Sequence, residues 1–244
     1  TYPANTTYIY RSAKTYTCLT AGSRMNTNLL VYTDQAFANK DEALAYLKGL
    51  GITGLVDEAH GSAVLVTPAD PKAGFGAVDQ YAYYQMQSAM CNMNYSVKNG
   101  DASTWYADNA YYGGLTYRYL IGIGGGATFV NNYIASNFDY ITRIAGMVLV
   151  GGGMDRIRTV ASFVPAYLMN ASADVVEKYK DANKTDDWGF AGDVNYYFNQ
   201  AQPLQKVYVD ATADLSADLL SSVYHNILIK AMRVPVVKAG LNTA

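Results

Sequence analysis

Histidine and cysteine are scarce in this chain, two of each in 244 residues, and that scarcity removes several chemistries. There is no C-x-x-C pair, so neither a zinc ribbon nor a dithiol redox motif is available. Two histidines are thin material for a metal centre, and no metal is expected. Cys18 and Cys91 stand far apart, so they either form one disulfide in an oxidising compartment or stay as buried thiols. Charge is also sparse, at 16% of residues against about 25% in an average protein. The net charge of −2 argues against a nucleic-acid partner and against a polybasic membrane surface. No apolar run approaches the roughly 20 residues that a membrane-spanning helix needs. The most apolar stretch, 144–151, is the size of a strand. There is no fixed-period repeat, low-complexity tract or clear linker.

Tyrosine is abundant instead, with 23 residues and clusters at Tyr81, Tyr83, Tyr84 and at Tyr111, Tyr112, Tyr117, Tyr119. Its stiff amphipathic ring suits interfaces and polymer surfaces, and it also serves as ordinary packing. A homo-oligomer or a companion chain is therefore an expected partner, with a small-molecule or polymer ligand as the other. The composition resembles that of exported proteins, so the expected location is extracellular or at the cell surface. N-x-[ST] triplets begin at Asn5, Asn94, Asn170 and Asn183 and are weak signals in a chain rich in Asn.

Periodicity divides the chain into strands and helices. Residues 1–18 alternate loosely and suit leading edge strands. Residues 28–33 and 62–67 read as buried strands, and 41–50 as an amphipathic helix stopped by Gly51. Residues 77–98 read as a helical segment rich in Met and aromatics, and 99–113 as a polar surface loop. Further strands are expected at 117–121, 143–150 and 206–210, and helices at 128–136 and 214–232. Residues 156–203 read as an insertion, most simply a lid. Strands alternating with helices imply one α/β domain over 1–244, with a mostly parallel sheet covered on both faces.

The densest signal is Tyr119-Leu120-Ile121-Gly122-Ile123-Gly124-Gly125-Gly126-Ala127. It describes a buried strand, a tight glycine turn and a helix that starts at once. Glycine lacks a Cβ and tolerates the strained backbone of such a turn. Gly122 and Gly126 would relieve crowding where strand and helix pass. The N–H groups after the turn, from Gly125 onwards, point out of the helix start towards a ligand.

These residues resemble the G-x-S-x-G nucleophile elbow of the α/β-hydrolase superfamily, with secreted esterases and polyhydroxyalkanoate depolymerases nearest in character. The resemblance covers about residues 28–210 in order. It implies an oxyanion loop at 68–76, a triad acid at Asp210 and a histidine after the last strand. It places the nucleophile at Gly124, which has no side chain. His60 precedes the strand at 62–67 and His225 lies on an expected helix, so neither stands where the triad histidine belongs. The missing histidine loop is expected beyond Ala244, on a companion fragment or on another subunit. The implied protein is a hydrolase-like scaffold without its serine, serving binding or assembly and needing no cofactor. An inactivated or fragmentary esterase is the alternative.

Gly122-x-Gly124-x-x-Ala127 also fits the dinucleotide fingerprint G-x-G-x-x-G/A. That reading lacks an acid at the tip of the following strand, which ends Val150-Gly151. Other candidates are weaker. Asp57 and Glu58 suit a solvated turn, and Asp70, Asp79 and Asp108 could line a sugar or cation site. Trp188, with Phe190, Tyr196, Tyr197 and Phe198, could form an aromatic wall in the lid. Met86, Met90 and Met93 suit a core.

Overall fold

A computed structural model describes residues 7–11, 27–59, 61–79, 95–97, 105–107, 117–135, 144–154, 166–181 and 207–228. Apolar, β-branched and aromatic runs form the strands. These are β1 (Thr7–Arg11), β2 (Thr27–Thr33), β3 (Ser62–Val66), β4 (Tyr95–Val97), β5 (Trp105–Ala107), β6 (Tyr117–Ile123), β7 (Gly146–Val150), β8 (Ala166–Met169) and β9 (Val207–Asp210). Seven of them make one sheet in the order β1-β3-β2-β6-β7-β8-β9. All neighbours pair in parallel except β1, which runs antiparallel along β3 at one edge.

The helices are α1 (Lys40–Gly49), α2 (Ile52–Glu58), α3 (Gly125–Phe129), α4 (Ala173–Asp181) and α5 (Ala217–Val223). A π-helical turn extends α3 over Val130–Ile134, and another extends α5 over Tyr224–Leu228. Helix α1 starts where the sequence signals it. The Asn39 side chain accepts from the Glu42 N–H, and Glu42 accepts in return from the Ala38 N–H. Gly51 then takes a left-handed φ of 72° and redirects the chain into α2.

Successive strand residues point to opposite faces, so the sheet separates two cores. Leu30, Tyr32, Leu120, Leu149 and Leu168 face Phe129, Val130 and Ile134 of the α3 stretch and Val175 of α4. Leu29, Val31, Ile121 and Val148 face Leu47 of α1, Ile52 and Val56 of α2, and Leu220 and Tyr224 of the α5 stretch. Strands buried on both faces read as continuous apolar runs, which is how these appear in the sequence.

The structure corrects the sequence reading in three places. Within the expected lid, β8 is an inner strand paired with both β7 and β9, and Val175 of α4 is fully buried against the sheet. Residues 166–181 therefore belong to the sheet and its covering layer. The four-residue run Ala-Tyr-Leu-Met carries too little pattern to announce a strand, yet burial on two faces makes it one. Residues 95–97 and 105–107, expected as the end of a helix and part of a loop, form a two-stranded antiparallel pair. The helix starts at once after the glycine turn, as that pattern predicts, but at Gly125, three residues ahead of the expected range 128–136.

Candidate functional site

Gly124 closes β6, the fourth of the seven strands, at the carboxyl end of the sheet. Its φ of 57° and ψ of −121° form a backbone that L side chains rarely adopt. Its N–H donates to the Val150 carbonyl at 2.8 Å, and its own carbonyl accepts from Ala127 at 3.0 Å and Thr128 at 3.2 Å. The turn is thus anchored to β7 and is itself the first link of α3.

Two flanking glycines are sterically required. A Cβ at Gly126 would lie 2.1 Å from the Tyr32 carbonyl oxygen on β2. A Cβ at Gly122 would lie 2.7 Å from Ala127 Cα. Together they let α3 pass directly over β2 and β6.

The polar group at this turn comes from β2, next to β6 in the sheet. Asp34, one residue past the end of β2, accepts a hydrogen bond from the Gly125 N–H at 3.2 Å through Oδ2. A Cβ built on Gly124 would meet Asp34 Oδ1 at 3.3 Å. The carboxylate therefore stands against the place where an elbow side chain would project. The sequence reading did not single out Asp34. An acid ending a short apolar run looks like a solvated turn until β2 is known to lie beside β6.

A cavity of about 320 Å³ opens beside this carboxylate. Asp34, Gly125, Thr128 and Asn132 give it polar atoms, while Phe75, Phe129 and Tyr133 give it aromatic walls. Phe75 stacks on Phe129 with centroids 4.9 Å apart, and Tyr133 lies 5.6 Å from Phe129. The 68–76 loop, where the resemblance implied an oxyanion loop, supplies Ala73, Gly74 and Phe75 to this wall. Buried Asp79 holds that loop by accepting from the Ala69 and Gly76 N–H groups, at 2.9 and 2.7 Å. Behind the helix, the loop after β7 is tied down as well. Gly153 donates to Thr128 Oγ1 at 2.9 Å, and Asn131 donates to the Gly153 carbonyl at 3.3 Å.

The other candidates lie apart from this crevice. Asp210 ends β9, the edge strand three positions from β6, and at about 4.8 Å per strand the two tips are about 14 Å apart. Its Oδ1 accepts from the Thr212 N–H at 3.3 Å and the Thr212 hydroxyl at 3.4 Å, so it closes its own turn. The structure does not bring Asp210 to Gly124. His225 belongs to the α5 stretch on the other face of the sheet, where its Nε2 meets Glu58 at 2.9 Å. Asp57 and Glu58 end helix α2, and Asp57 accepts from the Tyr10 hydroxyl at 2.9 Å. Asp70 accepts from the Lys72 N–H within its own loop. Asp70 and Asp79 thus both accept from the backbone of this loop. Trp188 and its aromatic neighbours, Asp108, His60, Cys18, Cys91 and the methionines at 86, 90 and 93 lie outside the described residues.

Among the described residues no cluster of three His, Cys, Asp or Glu side chains could hold a metal ion. No described helix is long and apolar enough to cross a membrane. The fold and the crevice define an open α/β protein, with helices on both faces of a mostly parallel sheet and a cavity at the carboxyl ends of its central strands, where such folds place their ligands. Neither a comparison with protein-family models nor one with curated proteins gives a match for the chain.

Proposed function

We propose that this chain is an α/β-hydrolase-like scaffold that binds a small ligand in the crevice at Gly124 and does not hydrolyse esters through an acyl-enzyme. One observation carries the reading. The elbow has no side chain, and the N–H that follows it already donates to Asp34. In the hydrolase mechanism that N–H stabilises the oxyanion, and the elbow side chain supplies the nucleophile. Both functions are lost here. The central strand, the left-handed turn and the immediate helix support the scaffold resemblance. The seat of Asp34 also weighs against a dinucleotide, because its carboxylate repels a pyrophosphate at the helix start.

Two measurements test this. The purified chain should release no p-nitrophenol from p-nitrophenyl acetate above the buffer rate, and a fluorophosphonate probe should leave it unlabelled. A burst of p-nitrophenol blocked by the phosphonate would show that another residue is the nucleophile. Gly124→Ser should gain no esterase activity. The new side chain would face the Asp34 carboxylate, while His225 is engaged by Glu58 on the other face of the sheet.

A further inference from the structure

Resting on the reading of this crevice as a binding site, we infer that its ligand is a small organic cation, an amine or quaternary ammonium carried on an apolar body about one ring in size. Charge comes first. Among the described residues lining the cavity, Asp34 is the one carboxylic acid, and none is a lysine, arginine or histidine. The helix start that could have attracted an anion already has a carboxylate on its Gly125 N–H. An incoming anion therefore meets a negative charge where a hydrolase would offer free donors.

The walls supply the second part. Phe129 and Tyr133 sit one helical turn apart on the α3 stretch, and Phe75 stacks on Phe129 from the 68–76 loop. Phe129 is buried, so Phe75 and Tyr133, which are partly exposed, are the rings whose π faces can attract an ammonium group beside the carboxylate, an arrangement that suits a cation better than a neutral polar group. Size comes third. At about 320 Å³ the cavity lies at the lower end of the roughly 300–1,000 Å³ range of small-molecule pockets. Thr128 and Asn132 complete the described lining.

The experiment uses four ring compounds that differ in charge: benzylammonium, benzyltrimethylammonium, benzyl alcohol and benzoate. Each is titrated into the full chain, with the backbone amides of Gly125, Thr128 and Tyr133 followed by NMR. Both cations should bind more tightly than the alcohol, and benzoate should bind least. Asp34→Asn should weaken the cations about fivefold and leave the alcohol nearly unchanged. The amide spectrum of that variant verifies its fold. Tyr133→Leu should weaken benzyltrimethylammonium more than the alcohol. Equal affinity for cation and alcohol in the unaltered chain, or cation binding unmoved by Asp34→Asn, overturns the ligand class while leaving a binding pocket in place. Failure of all four compounds to shift these amides overturns both the ligand class and the pocket reading. Ester hydrolysis accompanied by selective cation binding would overturn only the non-hydrolytic reading.

Discussion

A methyl group at Gly126 would stand 2.1 Å from the Tyr32 carbonyl oxygen and 2.5 Å from its carbonyl carbon, and both are backbone atoms of an inner strand. Neither can yield without moving β2. Gly124 is different. Its nearest atom to a new Cβ is the Asp34 carboxylate at 3.3 Å, the end of a flexible side chain, so the main cost there is the left-handed φ of 57°. Gly126→Ala should therefore destabilise the fold by about 3 kcal/mol or more, whereas Gly124→Ala should cost about 1–3 kcal/mol from backbone strain. Urea denaturation of the two variants gives the ranking, and an equal or reversed order would contradict the steric account. The glycine spacing was readable before the structure because glycine takes such a turn without strain. Asp34 was not readable, since it lies 91 residues from its hydrogen-bond partner and nothing local marks an acid that will face a helix start.

Helices α2 and α5 belong to distant parts of the chain, and His225 pins one to the other. Its Nδ1 lies 2.8 Å from the Ser221 carbonyl oxygen and its Nε2 lies 2.9 Å from Glu58. The Ser221 hydroxyl also lies 3.2 Å from Nδ1, so a neutral ring can donate from Nε2 to Glu58 and accept at Nδ1, while the imidazolium donates from both nitrogens. The hydrogen bond to Glu58 raises the His225 pKa above its ordinary 6.5, against the lowering effect of burial, with the Ser221 carbonyl adding to the rise. A raised folded pKa gives stability that is complete below the unfolded value and lost as pH climbs through the folded one. With the two side chains 33% and 63% exposed, the contribution stays below about 1 kcal/mol. Glu58→Gln should therefore be less stable than the unaltered chain near about pH 5.5, and the gap should close by about pH 9. A gap that widens with pH would reverse the assignment. At this scale the longer elements were legible: the runs at β2, β3, β6 and β7 and the amphipathic period of α1 all announced themselves. Strands β4, β5 and β8 did not, being three or four residues long; the equally short β9 did, because Val207, Tyr208 and Val209 are all strong strand formers.

Across the whole molecule, strand order is what the sequence conceals. The order β1-β3-β2-β6-β7-β8-β9 sets β2 beside β6 although long stretches of chain intervene, and it sends β9 with Asp210 to the far edge. A continuous apolar run shows that a strand is buried, while its neighbours follow from how all the crossovers pack. The same order makes the sheet a shared wall between two cores, with Ile134 fully buried on one side and Ile52 on the other. They touch different helices, so each should lose its own packing independently, while the common strands hold both cores in one cooperative unit. Ile134→Val and Ile52→Val should each cost about 0.5–1.5 kcal/mol, and the double variant should cost their sum to within about 0.5 kcal/mol. Urea unfolding followed by both circular dichroism and tyrosine fluorescence should give one coincident transition in every variant. Two separated transitions, or a double variant far from the sum, would mean that one helical layer and its core fold apart from the other. The sheet would then not be the element that binds them.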